Sequence, residues 1–99
     1  MIKHIVMFRF SDLEGKEEKL EALKNMMEDL KTKIPEVVHL EAGLNFSTRE
    51  TAYDIVLISD FRSVEDLEIY RVHPEHVKVV EFIKAGDANY DVAVVDYEY

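Results

Sequence analysis

The stretch Ile2–Phe10, IKHIVMFRF, decides how this chain folds. In an extended strand Ile2, His4, Val6, Phe8 and Phe10 fall on one side, with Ile5 and Met7 among the residues on the other. Apolar side chains on both sides mark a strand that must be covered twice.

Working outward, a helix is expected from about Lys16 to Lys33. Leu20, Leu23, Met26 with Met27, Leu30 and Ile34 recur at helical spacing, Glu and Lys cover the opposite side, and Pro35 ends the run. Val37–Phe46 fits a second strand with a bulge at Gly43, and Ser47 to Thr51 form the turn into a third strand, YDIVLISDF, again apolar on both faces. Ser63 followed by Asp66 resembles a capping box for a second helix carrying Val64, Leu67 and Tyr70. The pair His73-Pro74 must end or kink it, since a residue before proline is driven out of the helical region. Helix resumes after Pro74 through Val77, Val80 and Ile83 until Gly86, and YDVAVVDYEY makes a fourth strand.

The order is therefore βαββαβ, with FRFSD and DFRS ending the first strand of each half. That is the ferredoxin-like pattern of an α+β protein: a four-stranded antiparallel sheet with its helices on one face. Helices cover one face only. Ile5, Met7 and their counterparts would form an exposed apolar patch unless another sheet covers them, so a homodimer packed sheet against sheet is expected.

At 99 residues the chain is expected to form a single domain, 1–99, burying about 60 to 65% of its unfolded surface. Apolar residues are 47% and charged residues 33%, the balance of a globular protein, and no apolar run approaches the ~20 residues of a membrane span. The first residues alternate like a strand and not like a signal peptide, and cysteine is absent, so a cytoplasmic location is expected. A net charge of −9 without a basic stripe argues against a nucleic-acid partner, because phosphate binding needs clustered Lys and Arg.

The candidate chemistry lies in YRVHPEHVKVV, Tyr70–Val80. Pro74 suits the first turn of a helix, which sets His76 within that turn, near the positive end of the dipole. A charged imidazolium is disfavoured there, so His76 can accept a proton, with Tyr70 on the preceding turn orienting it or holding a substrate oxygen. The plainer reading of the same residues has His73 capping the new helix, His76 solvated and Tyr70 a core aromatic with its hydroxyl at the surface. His4 interrupts an apolar face and must find a polar partner. His73 and His76 do not make the i, i+4 pair of an HExxH site, so no metal is expected; His39 joins no cluster. Three glycines leave no phosphate loop.

Taken together, HIVMFRF, the central GLNF, YDIVLISDF, the Y-x-x-HP-x-H segment and the closing VVDY resemble the stress-responsive α/β barrel (Dabb) family across nearly the whole chain. The resemblance implies a ferredoxin-like monomer that dimerises into an α/β barrel. It also implies a pocket between sheet and helices like that of the plant polyketide cyclases related to olivetolic acid cyclase, which close a ring without a cofactor. By position it makes His76 the acid and base, Tyr70 its support, and His4, His73, Val6, Phe8, Leu23 and Met26 pocket residues. Ala42 stands where those cyclases have a Trp, and Leu23 and Met26 replace their aromatics, so the polyketide is not carried over. Two functions follow: a cofactor-free enzyme acting on a small hydrophobic carbonyl ligand, or a non-catalytic dimer that binds such a ligand or is structural.

Overall fold

The computed structural model describes residues 1–11, 14–85 and 89–99. In chain order the elements are β1 (Ile2–Ser11), α1 (Lys16–Lys33), β2 (His39–Leu44), β3 (Ile55–Phe61), α2 (Val64–Val72), α3 (Pro74–Lys84) and β4 (Asn89–Glu98). The strands form one antiparallel sheet in the order β2-β3-β1-β4. β1 is an inner strand, paired with β3 on one edge and β4 on the other.

The helices lie on one face. α1 packs over β2 and β3 and beside α3, while α2 covers β1 and β3. Ile2, Val6 and Phe10 from β1 meet Leu23, Met27 and Leu30 from α1, Leu67 and Tyr70 from α2, and Val79 and Ile83 from α3. Burying each aliphatic or aromatic side chain contributes about 1.5–3 kcal/mol relative to leaving it exposed.

Local chemistry sets the boundaries. Gly15 precedes α1 with φ 71°, a left-handed conformation that suits glycine. The Ser63 hydroxyl accepts the Asp66 N–H at 3.1 Å and starts α2. His73 closes α2 and opens α3. Its backbone is extended, φ −63° and ψ 136°, as a residue before proline must be, and Pro74 occupies the first turn of α3.

Several expectations need correction. β2 begins at His39 and ends at Leu44, shorter at both ends than Val37–Phe46, although the flanking Val38 and Asn45 N–H groups still bond the Asp60 and Asp54 carbonyls. No bulge occurs at Gly43, which pairs in register with Val56. The break at His73-Pro74 falls as expected and Ile83 is buried, but Val79 and not Val77 joins it in the core, and Val77 and Val64 are exposed. Gly86, where the sequence reading ends that helix, lies outside the described residues. Among the described residues no helix is long and apolar enough to cross a membrane.

Candidate functional site

The sheet register assembles the site. On the helix-facing side of β1, His4 lies opposite Ser59 of β3 and Asp96 of β4. The buried imidazole finds the polar partner it needs in Asp96, with Nδ1 2.5 Å from Oδ1. Its ring also meets the edge of Tyr70, centroids 6.1 Å apart.

Tyr70 is fully buried between His4, Phe61 and His76. Burial pushes its phenol well above the ordinary range, so the hydroxyl remains a proton donor. That hydroxyl is buried and has no hydrogen-bond partner among the described residues. A buried hydroxyl normally has one.

The turn at His73-Pro74 brings His76 back against Tyr70, ring centroids 4.4 Å apart. His76 Nδ1 lies 2.9 Å from the Arg71 carbonyl oxygen. A carbonyl can only accept, so Nδ1 carries the proton and, in the neutral ring, Nε2 keeps a free lone pair. Burial is the largest cause of a lowered imidazole pKa. The Arg71 carbonyl opposes it, and the charges of His4, Arg71 and His73 reinforce it. The balance of these causes favours the neutral ring near pH 7.

These side chains border a cavity of about 160 Å³ between sheet and helices, lined by His4, Val6, Phe8, Met27, Leu30, Leu57, Tyr70, Arg71, His76, Val79, Val80 and Ile83. The polar groups are few and the rest is hydrocarbon, the usual make-up of a small-ligand site. Of the residues expected at the pocket, His76, Tyr70, His4, Val6 and Phe8 line it. Three do not. His73 uses Nδ1 to accept the Glu75 N–H at 3.1 Å, capping α3. Leu23 is fully buried in the core, and Met26 lies one helical step away on α1, where Met27 and Leu30 take its place.

The plainer reading holds for His73 as cap and fails for Tyr70, whose hydroxyl is buried and not at the surface. Asp96 was missed, because only the β1–β4 register puts it opposite His4. Arg71 was missed because its backbone carbonyl, not its side chain, holds His76. Among the described residues no three of His, Asp and Glu gather to hold a metal ion.

The model of a family described as the stress responsive A/B barrel domain matches residues 2–99. A stress-response A/B barrel domain-containing protein of Arabidopsis thaliana is 32% identical over 100 residues, covering 98% of this chain and 46% of that protein, so the chain spans about half the length of this relative. A dimeric protein of unknown function and ferredoxin-like fold from Bacteroides fragilis superposes with TM-score 0.86 and 34% identity, covering 99% of this chain and 95% of the other. A hydroxynitrile lyase from Passiflora edulis shares the fold at TM-score 0.75 and 21% identity, over 97% and 90% of the two chains.

Proposed function

The chain belongs to the stress-responsive A/B barrel domain family, and we propose that it acts as a homodimer in which each cavity carries out cofactor-free acid–base chemistry on a small, largely apolar carbonyl compound. The observation that carries this is the unpartnered hydroxyl of Tyr70, a residue that lines the same cavity as His76. One group offers a proton and the other a lone pair. A ligand that satisfies both presents an acceptor oxygen beside an acidic C–H or O–H.

In the reaction, His76 Nε2 takes a proton from the carbon next to the carbonyl, and the electron pair moves onto oxygen. Tyr70 donates a hydrogen bond to that oxygen, stabilising the charge where it develops. The enolate carbon then bonds to a second carbonyl carbon, whose π pair moves onto its oxygen, and the proton on His76 passes to the alkoxide so formed, so no external acid or oxidant is needed. Asp96 fixes the His4 ring at the cavity wall, where His4 contacts the ligand. The apolar lining accepts the remainder, and about 160 Å³ limits it to a small molecule. The sheet's apolar outer face and the dimeric Bacteroides fragilis structure support two copies.

Proton abstraction is tested by deuterium exchange at the methyl group of acetophenone in D2O, followed by proton NMR. Exchange above the buffer rate should fall by about 10²- to 10⁴-fold in His76→Ala, the usual worth of a general base, and less in Tyr70→Phe. Equal exchange in parent and His76→Ala overturns the base assignment. A non-catalytic ligand-binding dimer is the second reading, favoured by His73, whose ring is committed to capping. Saturable acetophenone binding without His76-dependent exchange would establish it.

A further inference from the structure

Phe46 is 99% exposed, although the loop that carries it is tied down. Asn45 N–H bonds the Asp54 carbonyl at 2.9 Å, the Asn45 side chain donates to the Ser47 carbonyl at 2.8 Å and accepts the Ser47 N–H at 3.0 Å, and Asp54 N–H bonds the Phe8 carbonyl at 2.8 Å. A single exposed ring is ordinary by itself; what makes this one notable is that a braced loop holds it beside an apolar depression.

The same end of the molecule carries the matching concavity. On the sheet face away from the helices, Met7, Val56 and Gly43 lie side by side in register, and with Ala52 and Tyr53 they line a depression of about 430 Å³. Gly43 leaves the space open. A Cβ there would make only an ordinary 3.5 Å contact with Val56 and the backbone is unstrained, so the glycine serves the cavity and not the chain path. No charged side chain lines the depression.

We propose that the two copies of the chain anchor each other through Phe46, the ring of each seating in the Met7–Gly43–Val56 depression of the other. The inference rests on the homodimer proposed above. The depression is continuous with the apolar face that the dimer would bury, through Ile5 and Ile58, neighbours of Met7 and Val56 on the same strands. Loop and depression adjoin, since Asn45 of the loop also lines the depression, next to Leu44 at the end of β2. A two-fold axis near that rim sets each ring against the other copy's depression, the reciprocity an isologous interface requires.

The test is sedimentation equilibrium of the parent, Phe46→Ala and Gly43→Val, with Phe46→Trp as an optical reporter in a chain that has no Trp. The expected result is a parent dimer, dimers weakened at least tenfold by Phe46→Ala and by Gly43→Val, unchanged circular dichroism, and Phe46→Trp emission that shifts to the blue in the dimer relative to the diluted monomer. A parent that stays monomeric at tens of micromolar overturns the dimer itself. A dimeric parent whose affinity is unchanged by Phe46→Ala, or Phe46→Trp emission that stays at the solvent-exposed maximum in the dimer, overturns the anchor alone. Weakening by Phe46→Ala but not by Gly43→Val overturns the depression as its seat.

Discussion

Tyr70 combines full burial with an unpartnered hydroxyl, a combination that a core selected for stability alone would avoid. Leaving such a group unsatisfied costs about 1–3 kcal/mol, so Tyr70→Phe should stabilise the protein by up to that amount in urea unfolding while reducing exchange activity. Loss of stability would mean that the hydroxyl bonds something within the folded chain. His76 makes the pH dependence. Its folded pKa lies below the ordinary value of about 6.5, so the unfolded chain binds the proton more readily. Its contribution to stability is fully present above about pH 6.5 and is lost as pH falls through the folded value. Asp60 acts in the same direction at lower pH. Burial raises its pKa, but hydrogen bonds from Tyr99 and Lys3 outweigh that and bring it below the usual carboxylate value. Its contribution is lost only as pH falls through that lower value. Urea midpoints should therefore drop in two steps on acidification, and His76→Phe should remove only the upper one. An NMR titration giving His76 a pKa at or above about 6.5 would contradict the base assignment.

At the scale of elements, the α2–α3 junction controls the site. Extended backbone at His73 and the ring of Pro74 stop α2 and restart the chain as α3, which returns His76 to the Arg71 carbonyl. Capping at His73 is a side-chain-to-backbone bond of the kind worth on the order of 1 kcal/mol. His73→Ala should lower stability by about that much, and because the restart of α3 sets the His76 ring, the same variant should move the His76 pKa measured by NMR. An unchanged His76 titration would show that Pro74 alone sets the junction. The element pattern was legible because proline and serine act locally, through sterics and a short hydrogen bond. The exact ends of β2 were not, since they depend on the register of its pairing with a strand distant in sequence.

At the scale of the whole molecule, the sheet has one covered face and one open one. Ile5, Met7, Val56 and Ile58 remain half-buried on the open side, and Val95 and Tyr97 of β4 are exposed there. In the proposed dimer these residues meet a second sheet. Met7→Asp would bury an unpaired charge in that contact, and breaking even a paired buried charge costs about 3–5 kcal/mol, so sedimentation should show the variant as a monomer. A Met7→Asp dimer as tight as the parent would place the interface elsewhere. Each copy carries −9, so the two repel, and the dimer should tighten as salt rises and the Debye length shortens.

The sequence by itself determined the order of elements, the two apolar faces of β1, the break at His73-Pro74 and the pairing of Tyr70 with His76, because periodicity, proline sterics and near-neighbour spacing are local. Only the tertiary structure decided that Asp96 meets His4, that Met27 and Leu30 line the cavity in place of Leu23 and Met26, and that Phe46 stands in solvent beside a depression floored by Gly43. Those facts depend on strand register and on how each helix is rotated about its axis. Both are set by the packing of side chains distant in sequence, where a shift of one residue in a strand exchanges its two faces and one residue along a helix turns a side chain by about 100°.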